Sequence, residues 1–417
     1  MHFRVLITAS LLALAGCHLH SDPPGEAPSG VMVVPGEGLV TVTWDRDPEL
    51  TYWIFYQPGS SVAPAAPGVP LIFGAVPPSV VAGLANETQY AFIMNATRED
   101  SKAGPSSPVM LQTPRLAGAE WSPGAALGTT QNLNGIAFSG SRFVVVGDAA
   151  TIFAGDYNYT SANPPVTAWM PPTSLPSATT NLSAVTFSSQ FVALDTNGSI
   201  LTSSDGLTWT PPNNATNPVL SAGMNSIAFG AGVYVAVGTC CSIFTSSDLV
   251  NWTLATTNIP ITNNLFNVSF LNGGFVATGA GGALLTSANG SSWIVQDSKT
   301  SSALRGAAFR ATPTTLYVVV GDAGTIVTSN DGGATWAVLP QLTQNGNPVR
   351  LNSVVFGSRF VAVGQDPLAA QPGTVAYSND GINWSLTSTG SASLASVVFT
   401  PAMYVAVGAA GANVFAK

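Results

Sequence analysis

The sequence has little histidine, little charge and little cysteine. Its three histidines, His2, His18 and His20, all precede the patterned part of the chain. Everything after residue 20 therefore lacks the imidazole that acid–base relays, Ser-His-Asp triads and zinc sites commonly use. Charged residues make up 8% of the 417, with 12 Lys and Arg against 20 Asp and Glu. No basic patch is available to neutralise phosphates, which argues against nucleic acid as a partner. Glu120 is the last glutamate in the chain. Beyond the first residues no apolar run approaches the roughly 20 needed to cross a bilayer as a helix. No cofactor or metal is expected, and the chain reads as a monomer. The three cysteines are Cys17 and the adjacent pair Cys240 and Cys241.

What is abundant is repetition. A unit of strand, Val-Ala-Val-Gly-like strand, Thr-Ser strand, Asp-Gly turn and Trp returns seven times from Leu133 onward. The first strands begin at Leu133, Leu182, Met224, Leu265, Leu304, Leu351 and Leu394. Closing tryptophans fall at Trp169, Trp209, Trp252, Trp293, Trp336 and Trp384, 40 to 48 residues apart. Short period-two, β-branched segments bounded by Gly read as strands. Four such strands per unit of this length predict β-propeller blades, hence an all-β fold with seven blades across 119–417. The seventh unit stops at Lys417 without its fourth strand and Trp. The stretch Ala119-Glu-Trp121-Ser-Pro123 is expected to supply that outer strand and close the ring, leaving no open edge.

The turn before each Trp resembles the Asp-box, the sialidase-type or BNR repeat. The fullest match is Ser329-Asn-Asp331-Gly-Gly-Ala-Thr-Trp336, with shorter ones at Asp205, Asp248, Asn289 and Asp380. These residues are expected to be structural, the carboxylate accepting backbone N–H groups and Gly supplying positive φ. The resemblance implies that these turns lie opposite the ligand face. It does not bring sialidase activity, which needs an arginine cluster and a Tyr–Glu pair. The unit arginines are Arg142, Arg305, Arg310, Arg350 and Arg359, no Phe-Arg-Ile-Pro motif is present, and Glu120 is the only glutamate within 119–417.

Residues 29–115 have a different pattern. Val40-Thr-Val-Thr-Trp44 and Tyr52-Trp-Ile-Phe-Tyr56 read as strands, and Leu84–Tyr90 followed by Ala91–Ala96 resembles the tyrosine corner of a fibronectin type III domain. Before it, residues 1–16 read as a signal peptide. Leu14-Ala-Gly-Cys17 resembles a bacterial lipobox, which implies lipidation of Cys17 and, with His18 following, an outer-membrane lipoprotein. Residues 17–28 would then be a tether. In an oxidising compartment Cys240 and Cys241 can join as a vicinal disulfide or persist as free buried thiols.

Ligands of propellers are expected at the turn after the second strand. Asp148, Asp195, Asp322 and Asp366 occupy that turn in four repeats, with Gln365 beside the last and Cys240-Cys241 in a fifth. Each acid can be a turn former, or several can converge on a sugar, cation or basic peptide. The leading expectation is a lipid-anchored, non-catalytic envelope protein whose funnel face binds glycan or protein. The alternatives are a glycoside hydrolase using two of the four acids, and an assembly factor for an envelope or membrane complex.

Overall fold

The structure, a computed structural model, describes every residue except 1–21, 65, 99–100, 158–165, 167, 178, 213–219, 221–222, 371 and 401–402. The expected signal peptide and the expected lipidation site Cys17 lie outside the described residues. Among the described residues regular structure is strand, interrupted by three-residue turns of 3-10 type. Among the described residues no helix is long and apolar enough to cross a membrane. The chain divides into two compact units. The first comprises Met1–Val33, Val42–Ser79 and Thr88–Gln112, and the second Val34–Thr41, Val80–Glu87 and Thr113–Lys417.

In the first unit, strands Leu71–Ala75, Thr51–Pro58, Tyr90–Thr97 and Met110–Gln112 lie side by side in that order. Ile54, Phe92 and Met94 are fully buried, and the Trp44 and Tyr52 rings pack 5.3 Å apart. Alternation along Thr51–Pro58 sends Tyr52 and Ile54 to one covered face, while Phe55 is buried on the other with Val62 and Ala91. Strands Met32–Gly36, Leu39–Thr43 and Ser79–Ala82 form a separate three-stranded sheet.

The second unit contains a β-propeller. Each sequence repeat forms its own antiparallel sheet, the first strand pairing with the second and the second with the third. The second strands are mostly apolar and buried, as in Leu316–Gly321. Buried on both faces, they read as continuous apolar runs rather than alternating ones. Clusters such as Val144, Ala154, Phe191 and Trp209 join one repeat to the next. The strand Ser122–Pro123 pairs with Asn413–Ala416, the last strand of the chain, through Ser122 opposite Phe415.

Three repeats depart from the four-strand expectation. The first and second form three-stranded sheets, and their Trp segments make only isolated bridges, Ala154 to Met170 and Thr202 to Thr210. Pro171-Pro172 and Pro211-Pro212 follow at once. Proline offers no N–H to a ladder, so pairing ends there. The fourth repeat goes the other way: Thr256–Thr257 adds a fifth, parallel strand beside Ser292–Val295.

Candidate functional site

One irregularity recurs in every repeat and sets up the site. Between the first and third residues of the inner strand the ladder slips, for instance between Leu182 and Ala184, Leu265 and Asn267, and Leu304 and Gly306. Such a bulge leaves one residue unpaired and re-aims its side chain. In three repeats that residue is Asn, and its amide donates to the carbonyl of the next inner strand. The bonds are Asn134 to Leu182 (2.9 Å), Asn225 to Leu265 (2.7 Å) and Asn352 to Leu394 (2.7 Å).

A second clasp lies just before the inner strand. Asn132, Asn181 and Asn264 each accept a backbone N–H from the turn after the second strand of the preceding repeat: Ala410, Ala149 and Cys240 respectively. Those turns share one construction. Gly238, Gly279, Gly321 and Gly408 are extended, and a left-handed residue follows two positions later: Cys240, Gly281, Ala323 and Ala410.

The four turn acids of the sequence pattern do sit at this face of the repeats, and each is already engaged. Asp148 accepts the side-chain amides of Asn132 and Asn134, both at 2.9 Å. Asp195 accepts the Asn197 and Ser199 N–H groups at 2.9 and 2.8 Å, and the Thr180 hydroxyl at 3.2 Å. Asp366 accepts the Leu368 N–H at 3.1 Å. Asp195 is 1% exposed and Asp366 4%, so neither carboxylate can meet a ligand in this conformation, against the expectation that both face the funnel. An Asp that accepts the N–H groups two and four residues ahead is a turn-forming side chain.

Asp322 differs. Arg305 holds it in a two-pronged contact, Nε to Oδ1 at 2.5 Å and Nη2 to Oδ2 at 2.9 Å, and Arg350 Nε comes within 3.3 Å of the same Oδ1. The Arg305 guanidinium also lies 4.8 Å from the centre of the Phe266 ring. Burial works to raise the Asp322 pKa, but the Arg305 hydrogen bond and the charges of Arg305 and Arg350 outweigh it and hold the carboxyl below its ordinary range. Burial, then the neighbouring Arg305 charge, lowers the pKa of Arg350. Arg350 Nε also donates to Asn352 Oδ1 at 3.0 Å, and Arg350 lies opposite Gln365 in the ladder.

Cys240 and Cys241 are both free, the first exposed and the second half-buried, rather than disulfide-bonded or fully buried. Both have positive φ, 50° and 59°.

On the opposite end of the repeats, the expected structural turns have one geometry. Asp331 Oδ1 accepts the N–H groups of Ala334 and Thr335 and the Ser329 hydroxyl, and Trp336 Nε1 donates to Gly333. Asp205, Asp248, Asn289 and Asp380 repeat it. Bonds from the Thr335 hydroxyl and N–H, with that of Ser329, bring the Asp331 pKa to about 2. Among the described residues no group of three or more His, Cys, Asp or Glu could hold a metal ion.

The fold and face define a β-propeller, and comparison with known proteins agrees. Residues 213–361 match a family model described as the DUF6242 beta propeller domain. No curated protein sequence matches the chain. Among solved structures, YCF48 bound to D1 peptide is similar at 18% identity with a TM-score of 0.54, over 71% of this chain and 96% of that one. YCF48 from Cyanidioschyzon merolae is 17% identical with a TM-score of 0.52, over 71% and 98%. The WD40 beta propeller domain of Doa1 is 13% identical with a TM-score of 0.55, over 72% and 97%. At these identities the likeness is one of fold.

Proposed function

We propose that this chain is a lipid-anchored, non-catalytic binding protein of the bacterial envelope, in which a fibronectin type III-like sandwich carries a seven-bladed Asp-box propeller. The observation that carries the non-catalytic reading is the engagement of all four turn acids. Asp148, Asp195 and Asp366 serve amide and backbone donors, and Asp322 serves two arginines. A glycoside hydrolase needs one carboxyl kept protonated near neutrality and a second facing the sugar. Asp322 is held in the opposite direction, and two of the others are buried.

The remaining parts of the reading rest on pattern. Two sheets of three and four strands in the N-terminal region suit the fibronectin type III expectation. The repeated Ser-x-Asp turn with its Trp Nε1 bond supports the Asp-box assignment. Pairing of Ser122–Pro123 with the final strand supports closure of the ring. The anchor at Cys17 and the outer-membrane location rest on the lipobox resemblance. A peptide ligand agrees with the similar propeller that is solved with a peptide bound.

A polysaccharide turnover screen run beside glycan and peptide arrays tests the reading. Binding without turnover is expected. Turnover that disappears in the Asp195→Asn, Asp322→Asn double variant would establish the hydrolase instead.

A further inference from the structure

We propose that Arg305, Arg350 and Phe266 form a receptor for a single carboxylate on an otherwise neutral polypeptide ligand, with Asp322 as its internal stand-in. The inference rests on the binding reading above and names the ligand class. Its first support is positional. Arg305 occupies the bulged position where Asn134, Asn225 and Asn352 clasp the next repeat. Arg350 occupies the preceding position, where Asn132, Asn181 and Asn264 clasp a turn. Neighbouring repeats thus each hold an arginine at a position that carries a clasping asparagine in three others, and both arginines converge on one carboxylate oxygen.

Charge is the second support. Two guanidiniums share one carboxylate, so one positive charge is uncompensated. The site is open: the Arg350 and Asp322 side chains are 42% and 34% exposed. Among the described residues, Arg305 Nη1, both terminal nitrogens of Arg350 and the Gln365 amide have no hydrogen-bond partner. The Nη edge of an arginine matches a carboxylate in a two-pronged contact. The Phe266 ring gives Arg305 a flat apolar support.

A single uncompensated charge suits a single acidic group. A polysaccharide acidic at every sugar would bring a row of charges, of which this site could match one. Of the other arginines of the repeats, Arg142 pairs with Asp156, Arg310 serves Thr314 and Asn379, and Arg359, whose Nε has no hydrogen-bond partner, is buried against Tyr377. Lys299 is paired with Asp297. An incoming carboxylate takes the free Nη donors and competes with Asp322 for Arg305, an exchange of hydrogen bonds with no covalent step.

The test uses the full chain and three probes: N-acetyl-trialanine with a free carboxylate, its C-terminal amide, and oligogalacturonate. Arginine side-chain NMR signals report occupancy. The free acid is expected to move the Arg350 and Arg305 signals, and the amide to bind at least about tenfold more weakly. Arg350→Gln should remove the acid preference, and Asp322→Asn should tighten acid binding severalfold by removing the internal competitor. Equal binding of acid and amide would overturn the carboxylate assignment while leaving a binding protein. No response to the acid, or a response unchanged in Arg350→Gln, would overturn the site. Tighter binding of oligogalacturonate would overturn the polypeptide assignment. Turnover of any probe would overturn the binding reading itself.

Discussion

Replacing Gly324 by Ala should damage the protein far more than the same change at Gly332, although both glycines belong to the fifth repeat and both are left-handed. Their φ angles are +64° and +81°. The backbone penalty for an L-residue there is about 1–2 kcal/mol and applies to both. The surroundings differ. A methyl carbon on Gly332 meets nothing within 4 Å. On Gly324 it would lie 2.1 Å from the Leu342 carbonyl oxygen and 2.8 Å from the Leu342 nitrogen. Leu342 must then withdraw, which breaks its N–H bond to Gly324 (2.9 Å) and disturbs the Val349 N–H bond to Leu342 (3.3 Å). Two such bonds add about 1–3 kcal/mol. Gly324→Ala should therefore cost about 2–5 kcal/mol and Gly332→Ala about 1–2 kcal/mol. Urea unfolding midpoints of the two variants measure the difference. The turn also carries Asp322, so Gly324→Ala should loosen the arginine pair as well. Ala150 sits at φ +58° at the end of the equivalent turn of the first repeat, so the left-handed backbone itself tolerates Ala. Equal midpoints for the two variants would refute the steric argument.

Three further outcomes are expected. Trp209 is 1% exposed among residues of two repeats, so Trp209→Ala should cost about 3–5 kcal/mol in chemical denaturation, and half-buried Trp384→Ala less. Burial works to raise the Asp205 pKa, but the N–H groups of Thr208 and Leu207 with the Ser203 hydroxyl bring it to about 2. The folded state thus binds fewer protons than the unfolded one. This stability is present above about pH 4 and lost as pH falls towards 2. Asp205→Asn should flatten that acid limb in pH-dependent melting, and an unchanged limb would contradict it. Iodoacetamide should alkylate both Cys240 and Cys241 without prior reduction, Cys240 first because it is exposed. Modification that requires a reductant would show them joined.

The architecture was legible because repetition reports the same physics many times. Inner strands beginning at Leu133, Leu182, Leu265 and Leu304 start where the apolar pattern predicted them. The Asp turns were legible for the same reason, since Ser, Asp, Gly and Trp each have one local task. The acids on the other face were not. Asp195 and Asp322 read as one repeat position, but Asp195 stands opposite Leu182 as Gly321 stands opposite Leu304, one place earlier; it is buried within its own turn, while Asp322 meets two arginines. A turn acid reads alike in sequence whether its partners are local N–H groups or distant side chains. Arg305 and Arg350 were visible only as arginines that do not make a sialidase. The signal that could have found them is a loss: Arg stands where other repeats keep a clasping Asn. The shortened sheets of the first two repeats were also in the sequence, in the paired prolines after Met170 and Thr210.

The proposed binding face requires a ring shut by the strand at Ser122. A cysteine pair at Ser122→Cys and Phe415→Cys, in a chain whose Cys17, Cys240 and Cys241 are serine, tests this directly, because those positions are opposed across the pairing. Closure predicts an intramolecular disulfide on mild oxidation, seen as a loss of about 2 Da in the intact monomer mass. Thiols that stay free, or that join only between molecules, would contradict it.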